Sequence, residues 1–305
     1  MFYIIRKVFI LFITLFLVSL VVFCAFHIIP GDPAMLILGT EASPEKLESL
    51  RSELGTDKPL FFQYMHWVKG TLHGDFGMSL KYRKSVSLLM QNRISVTFIL
   101  GLASFFIVAA IGLPLGILAG YKKTGIVHQV IILFSMIGIS IPGFFLSVLI
   151  IWCFGLTLHL FVPGEYEGMQ LVFPAVAIAL PQVAVLVKYV SSSVMEEYSK
   201  TYVRTARSRG NSEIRILFCH VLKNSLVSVI PLIGMVTGSI FSGSIIVEQV
   251  FSISGIGRLL ISSVTSRDFP LTQTIVLYIA FTIVLVNFSV DILIQLIDPR
   301  IRLKH

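Results

Sequence analysis

Six long apolar stretches dominate this sequence and limit the folds open to it. A helix that crosses a bilayer needs about 20 mostly apolar residues, and only helices and closed barrels satisfy all backbone polar groups there. Stretches of this length are typical of helices. We therefore predict an all-α integral membrane protein with six transmembrane helices near residues 8–29, 95–120, 126–154, 171–192, 225–247 and 272–297.

The composition places the chain in the same class. Charged residues make up 13% of the sequence, against about 25% in soluble domains. On a membrane protein, a net charge of +8 mainly sets orientation and contacts anionic lipid. No aromatic-plus-basic pattern typical of RNA binding accompanies this charge. We therefore expect membrane lipid as a partner and no nucleic acid.

The basic residues predict an orientation. If there are six spans, four basic sites outside the spans all fall on one side, whereas the short loop near 156–170 on the other side carries Glu165 and Glu167 and no lysine or arginine. Positive loops stay in the cytoplasm, so both termini are expected there. The basic residues concerned are Arg6, Lys7, Lys122, Lys123, Arg300, Arg302, Lys304 and those of the segment between spans four and five.

The segment between the first two spans, residues 31–94, is too polar to cross a bilayer and is expected outside. Two helices are predicted within it, over about 44–55 with Ser43 as N-cap and over about 57–70 with Asp57 as N-cap. The second is rich in aromatic residues. It either lies on the outer membrane surface, packs on the spans, or offers a platform to an external partner.

Two features inside the spans bear on mechanism. The middles of the spans carry no charge, and Lys188, Glu248 and Asp291 lie near span ends, where hydration is expected. A carrier coupled to protons or ions usually needs a buried charge, so if this chain moves a solute against a gradient, the energy is expected from elsewhere. Pro142-Gly143 predicts a kink or break in the third span.

Small residues recur every four positions in two spans. Such stripes let helix backbones approach closely. They serve either packing within one subunit or, especially for the second stripe, a dimer interface or a pathway wall. The stripes are Gly112, Gly116 and Gly120, and Gly234, Gly238 and Ser242. The candidate pathway or helix-packing residues are Ser140, Gly234, Gly238 and Ser242.

Motifs for catalysis are absent from the sequence. There is no G-x-x-x-x-G-K-[ST] for nucleotide hydrolysis, no H-E-x-x-H and no G-x-S-x-G. The cysteines show no C-x-x-C spacing, and the histidines are scattered. We expect no catalytic residue, no metal site and no cofactor on this chain.

A charged segment at residues 196–223, here called the polar island, separates the fourth and fifth spans. A helix is predicted to begin at Tyr198 and to be interrupted at Gly210, and an amphipathic stretch over 214–222 leads back to the membrane. From physics alone, the island either docks a cytoplasmic protein or lies on lipid headgroups. Its arginines are Arg204, Arg207, Arg209 and Arg215.

Residues 202–210 read Y-V-R-T-A-R-S-R-G, which resembles the coupling motif of ABC importer permeases. With Gly210 on the motif glycine, Arg204, Thr205 and Ala206 fall on its E-A-A positions, and His220, Leu222 and Lys223 on the I, L and P positions of its I-x-L-P end. Only Ala206, Gly210 and Leu222 keep the general consensus. The departures resemble those of peptide and nickel permeases of the DppB/OppB type.

The resemblance extends along the chain. Ser254 departs from it, because the family usually has proline there, and that leaves the rigidity of the turn after span five in doubt. The other matches are His27 to Pro33 (H-x-x-P-G-D-P), Leu54 to Pro59 with Gln63-Tyr64 (L-G-x-D-x-P and Q-Y), Gly74 to Gly77 (G-D-x-G), Glu248 to Leu259 (E-x-x-F-x-x-P-G-L-G-R-L) and Asp298 to Arg302 (N-P-R-I-R).

The resemblance implies a type I ABC importer permease in the bacterial cytoplasmic (inner) membrane, forming half of a pathway for di- or oligopeptides. It implies as partners a homologous second permease, two cytoplasmic ATPases that hold ATP and Mg, and an extracytoplasmic binding protein. Nickel or a metal chelate is the alternative cargo, and an autonomous channel or ion-coupled carrier the remote alternative. The implied coupling residues are Glu197, Tyr198, Tyr202, Arg204, Thr205, Ala206, Arg207, Arg209 and Gly210.

The expected organisation follows from these assignments. It comprises residues 1–30 as the cytoplasmic start and first span, 31–94 as the extracytoplasmic segment, 95–299 as the ABC transmembrane core with its coupling loop at 196–223, and 300–305 as the cytoplasmic tail.

Overall fold

The computed structural model describes residues 2–28, 33–39, 43–164 and 168–297. Several predictions from sequence lie outside these residues: the motif residues 29–32, the acidic pair Glu165 and Glu167, and the ending 298–305. Chain contacts divide the protein into two units. The first comprises Met1–Lys7, Thr97–Ile253 and Leu285–His305, and the second comprises Val8–Val96 and Ser254–Val284.

Helices make up nearly all of the described secondary structure. Short π-helical turns follow α7 and precede α11, at Ile151–Thr157 and Leu217–Val221. The α-helices are α1 Phe2–Ile28, α2 Pro33–Leu38, α3 Pro44–Leu54, α4 Leu60–Leu72, α5 Val86–Lys122, α6 Ile126–Ser140, α7 Gly143–Ile150, α8 Val172–Ser199, α9 Thr201–Ser208, α10 Glu213–Ile216, α11 Leu222–Val250, α12 Ile256–Thr265 and α13 Phe269–Ile297.

Within the described ranges, five helical runs are long and apolar enough to cross a bilayer. They are α1, α5, α8, the run from α10 through α11, and α13. The helical segments Ile126–Ser140 and Gly143–Thr157 form a pair bent by 97°, which makes six if the pair counts as one span. The break at Pro142-Gly143 was predicted and is confirmed, because proline cannot continue the hydrogen-bond ladder of α6.

In the first unit, α8 packs against α6, α7 and α11. The stripe on α5 lies directly on α8. A Cβ atom placed on Gly116 would come within 2.7 Å of Val190 Cβ, and one placed on Gly120 within 2.6 Å of Val194 Cβ. These glycines therefore allow close helix contact within one chain, which is the packing alternative for the first stripe.

The second stripe, on α11, divides between two environments. Gly234 is buried and faces Val290 of α13, whose Cγ2 would lie 3.2 Å from an added Cβ atom. Ser242 is exposed, and a Cβ atom on neighbouring Gly243 would meet nothing within 4 Å. Packing within the chain thus accounts for Gly234, while one part of α11 stays open.

Glu248 corrects an expectation from the sequence. Hydration near a span end was expected, but the residue is fully buried near the end of α11. Its carboxylate accepts a hydrogen bond from Thr97 Oγ1 on α5 at 2.7 Å. The expectation was wrong because the hydropathy pattern shows only that Glu248 lies near the end of an apolar stretch. It does not show which residues cover the side chain after folding. A buried carboxylate is tolerated when hydrogen bonds replace water.

In the second unit, α4 packs on α1. The Tyr64 and Ser19 hydroxyls lie 2.8 Å apart, the Tyr64 and Phe23 rings meet edge to face at 5.2 Å, and Gln63 Oε1 lies 3.1 Å from His27 Nε2. Of the predicted roles of this aromatic helix, packing on the spans is confirmed.

The caps of α3 and α4 differ from the predictions. The bounds of α3 agree, and it ends at Gly55 with φ +69, which glycine adopts without strain. Ser43 occupies the N-cap position but makes no side-chain cap hydrogen bond. The prediction that Asp57 caps α4 is wrong, because extended Pro59 holds the N-cap position and the helix begins at Leu60 and runs to Leu72.

The same unit contains a hydrophobic core beneath a short hairpin over residues 77–86. Val86 and Met90 at the start of α5 pack against Ile256 and Leu259 of α12 and against Leu271 of α13, with further apolar side chains around them. This core fixes the hairpin close to the helices α12 and α13.

Candidate functional site

The polar island begins with a sharp break between two helices. Helix α8 continues to Ser199, Lys200 takes an extended conformation (φ −73°, ψ 152°), and α9 starts at Thr201. The prediction that a new helix begins at Tyr198 is wrong, because Glu197 and Tyr198 belong to the last turns of α8. Both side chains therefore belong to α8, next to the segment that follows it.

Glu197 holds this break. Its buried carboxylate accepts hydrogen bonds from Lys200 Nζ and, at 2.6 Å, from the Tyr202 hydroxyl. The hydrogen bond to Glu197 raises the pKa of Lys200. Burial, together with Glu197, raises the pKa of Tyr202 to about 12. Tyr202 therefore remains a hydrogen-bond donor at neutral pH, and one carboxylate holds both Lys200 at the break and Tyr202 in the first turn of α9.

Helix α9 has a buried face and an exposed face. Val203 and Ala206, one turn apart, are buried, and this position of Ala206 explains why a small residue suits the motif there. Arg204, Thr205 and Arg209 are exposed. Neither Arg204 nor Arg209 forms an ion pair with any residue in the described ranges. The exposed face is thus a basic surface open to a partner.

The end of α9 is closed by its own contacts. Gly210 takes φ +78, a conformation that favours glycine, and Asn211 Nδ2 donates to the Ala206 carbonyl at 3.1 Å. Arg207 forms a bidentate pair with Glu213, with Nε–Oε1 at 2.5 Å and Nη2–Oε2 at 3.1 Å. This pair raises the pKa of Arg207. Arg207 therefore closes the turn from α9 to α10.

Two exposed apolar side chains follow this turn. Ile214 is 66% exposed and Phe218 is 64% exposed, and they lie four residues apart. Sequence reasoning treated this stretch only as amphipathic and did not select them. The available signal was an apolar pair at helical spacing among the charged residues of the island. Because partner-binding surfaces often combine arginine with aromatic residues, we include both residues in the site.

The island is also joined to the loop between α5 and α6. Lys123 Nζ lies 4.6 Å from the centre of the Tyr198 ring, and the Tyr121 and Tyr198 rings lie 6.2 Å apart. The basic loop at 122–123 and the polar island therefore lie at the same end of the helices in this unit.

The candidate pathway residues fall in different surroundings. Gly234 serves packing against α13. Ser140 ends α6 with an exposed side chain that donates to the Met136 carbonyl at 2.9 Å, and exposed Ser242 donates to the Ser239 carbonyl at 3.2 Å. Gly238 is partly buried in α11. The structure separates Gly234 from the two exposed serines, which remain candidates for the pathway.

Comparison with known proteins covers nearly the whole chain. Residues 112–303 match the family described as binding-protein-dependent transport system inner membrane component, and residues 1–101 match its N-terminal family. A putative peptide transport system permease protein of Brucella abortus (strain 2308) is 35% identical over 295 residues, with 94% of each chain covered. A similarly described protein of Brucella suis biovar 1 is 35% identical over 294 residues, covering 93% of this chain and 94% of that one.

A further relative has a more specific name. The glutathione transport system permease protein GsiC of Escherichia coli (strain K12) is 35% identical over 303 residues, with 99% of each chain covered. Family matches on both parts of the chain, relatives aligned from end to end and the helical architecture agree. This chain therefore belongs to the inner membrane components of binding-protein-dependent transport systems, the type I permeases of Dpp/Opp-type ABC importers.

Proposed function

We propose that this chain forms half of the translocation pathway of an ATP-driven peptide importer and that its polar island is the contact with an ATPase. The observation that carries the proposal is the island itself, a short helix with an exposed basic face anchored to α8 by buried Glu197. A rigidly attached helix transmits a push to the span behind it, whereas a flexible basic loop does not.

The cargo follows from the relatives. The Brucella relatives are named for peptide transport and the Escherichia coli relative for glutathione, which is a tripeptide. These names support small peptides as the cargo class. Nickel or a metal chelate stays the second candidate through the resemblance to nickel permeases. Uptake of a labelled peptide and of nickel by the same transporter distinguishes them.

The proposed orientation places both termini and the island in the cytoplasm. The Lys7–Asp291 ion pair, at 2.5 Å, joins the start of α1 to the C-terminal part of α13. Two such ends on one side require an even number of crossings, which supports six spans. The contact of Lys123 with Tyr198 gathers two basic loops on one side, as the positive-inside rule requires of the cytoplasmic side.

The division of labour assigns the chemistry to other subunits. A homologous second permease would complete the pathway, two ATPases would hold ATP and Mg, and an extracytoplasmic binding protein would deliver the peptide. The family of inner membrane components of binding-protein-dependent systems supports such partners. This chain would bind no cofactor and catalyse no reaction.

The substitution Arg204→Glu tests the coupling contact. Reversing a charge at the centre of a basic docking face places repulsion where attraction is needed. We expect co-purification of the ATPase and ATP-dependent peptide uptake to fall by about tenfold or more, as for an arginine hot spot. Both are measured on the transporter expressed with its partner subunits.

The matched control is Lys46→Glu, which reverses an exposed charge on α3, outside the polar island. It is expected to leave ATPase binding and uptake near the wild-type level. Wild-type ATPase binding and uptake in Arg204→Glu would contradict the proposed contact. Peptide flux through this chain alone in liposomes without ATP would instead support the carrier alternative.

A further inference from the structure

The 77–86 hairpin is a small, closed structure in the segment between α4 and α5. An isolated β-bridge pairs Met78 with Ser85. Ser79 N donates to the Lys84 carbonyl at 2.9 Å, and Val86 N donates to the Gly77 carbonyl at 3.1 Å. Both ends of the hairpin are thus fixed by backbone hydrogen bonds, and its turn has a defined shape.

Asp268 fixes the hairpin to the start of α13. This fully buried carboxylate accepts hydrogen bonds from Ser79 Oγ at 2.5 Å and from the backbone N–H groups of Leu80 and Lys81 at 3.2 Å each. It also accepts one from Leu271 N at 3.4 Å, in the first turn of α13. Since each bond to a buried charged group is costly to leave unmade, hairpin and helix are held as one body.

A second attachment lies on α12. Lys81 Nζ donates to Ser262 Oγ at 2.8 Å, and the Tyr82 hydroxyl lies 3.1 Å from the same oxygen. The hydrogen bond with Ser262 is the largest cause that lowers the pKa of Tyr82, and the positive charges of Lys81 and Arg93 add to it. The hairpin is therefore both rigid and positively charged.

The tip of the hairpin carries two exposed positive charges. Arg83 and Lys84 are exposed and form no ion pair with any residue that the structure describes. Arg83 also has φ +50, a conformation that glycine or asparagine adopts more readily. Met78 beside them is 61% exposed. Among the residues that the structure describes, no ion pair of Arg83 or Lys84 holds the hairpin together.

The charge of the surrounding sequence makes this tip part of a larger basic region. Residues 69–93 contain five lysine and arginine residues and one acidic residue, Asp75. In the proposed orientation this region lies outside the cytoplasm, where basic charge does not set the orientation of the chain. A basic surface there is suited to a partner with an acidic face.

We infer that the tip of the 77–86 hairpin, with Arg83, Lys84 and Met78, is a docking surface for an acidic face of the extracytoplasmic binding protein. The inference rests on the proposed function and names the surface used by one of its partners. Arginine and methionine are enriched in protein interfaces. Fixed charges around an exposed apolar side chain suit a folded partner better than mobile lipid headgroups. Complementary charge also speeds encounter between proteins.

The double substitution Arg83→Glu with Lys84→Glu tests this surface in the assembled transporter held in nanodiscs of neutral lipid. The association rate constant of its binding protein is measured at low and at physiological salt. We expect the rate to fall by about tenfold or more at low salt, and its dependence on salt to flatten, because steering by the basic tip is lost.

The matched control is Lys46→Glu with Lys58→Glu, which makes the same change in charge at exposed positions of the same segment. It is expected to associate within about twofold of the wild-type rate at physiological salt, and to lose less of the rate at low salt than the tip variant, since charges outside the contact act only at long range and are screened by salt. Binding-protein association at the wild-type rate in Arg83→Glu with Lys84→Glu would overturn the inference.

Two further outcomes are distinguishable. If the double substitution changes the rate only in nanodiscs containing phosphatidylglycerol, the tip contacts anionic lipid, and the inference is overturned in favour of a lipid surface. If no binding protein associates with the wild-type transporter, the proposed function fails, and this inference fails with it. Association of the wild type with a reduced rate in the variant supports both.

Discussion

Replacing Gly120 with alanine is expected to destabilise the transporter strongly. The new methyl carbon would lie 2.6 Å from Val194 Cβ and 2.8 Å from the Ser191 carbonyl oxygen of α8. The carbonyl belongs to the backbone and cannot rotate away, so the two helices must separate. Overpacking of this kind costs roughly 1–3 kcal/mol. The measurement is the thermal unfolding midpoint of the detergent-solubilised transporter.

Gly243→Ala is the matched control, with the same added methyl group on another membrane helix. Nothing lies within 4 Å of that position, and alanine favours a helix over glycine by about 0.5–1 kcal/mol. The control is therefore expected to leave the unfolding midpoint unchanged or to raise it. Equal midpoints for Gly120→Ala and the wild type would contradict the close packing of α5 on α8.

Replacing Glu197 with alanine is expected to uncouple ATP hydrolysis from uptake. Lys200 and Tyr202 would lose their shared acceptor, and a hydrogen bond to a charged group contributes about 1.5–3 kcal/mol. Such a change corresponds to roughly 10- to 150-fold in the population of a defined conformation. The break before α9 would then lose its fixed angle. Peptide taken up per ATP hydrolysed is the measurement.

Glu196→Ala provides the neighbouring control. The Glu196 side chain is 74% exposed and lies 3.8 Å from Lys200 Nζ, whereas that of Glu197 is 8% exposed. Exposed ion pairs contribute only about 0–1 kcal/mol, so this variant should keep wild-type coupling. The role given to Glu197 is wrong if the two variants show the same ratio of uptake to hydrolysis. A Glu197→Gln variant, which keeps an acceptor oxygen, is expected to lie between them.

Features that depend on neighbours along the chain could be predicted from the sequence. The apolar stretches, the break at Pro142-Gly143 and the extent of α3 as far as Gly55 agree with the structure. Each follows from the chemistry of a single residue or from a continuous run. The interruption of the helix at Gly210 was also predicted, and it agrees with the end of α9 at Ser208 and with the positive φ of Gly210, which glycine adopts readily.

Features that depend on contacts distant in sequence or on competing local contacts were not predicted. Glu248 was expected to be hydrated, but Thr97, 151 residues away in sequence, lies against its carboxylate. No role was predicted for Asp268, although it accepts hydrogen bonds from a hairpin some 188 residues before it. Arg207 was named among the implied coupling residues, and its pairing with Glu213 was not predicted. In each case the role of a charged side chain depends on its partner, and the sequence does not name the partner.

The sequence by itself determined that this protein consists of several membrane helices with a polar island between the fourth and fifth apolar stretches, because hydrophobic length and charge pattern are local properties. Only the tertiary structure decided that Glu197 ends one helix and sets the direction of the next, that the Gly112–Gly120 stripe lies on α8, and that the 77–86 hairpin is mounted on α13. These depend on which surfaces meet after folding, where a difference of one methyl group or one hydrogen bond decides the packing.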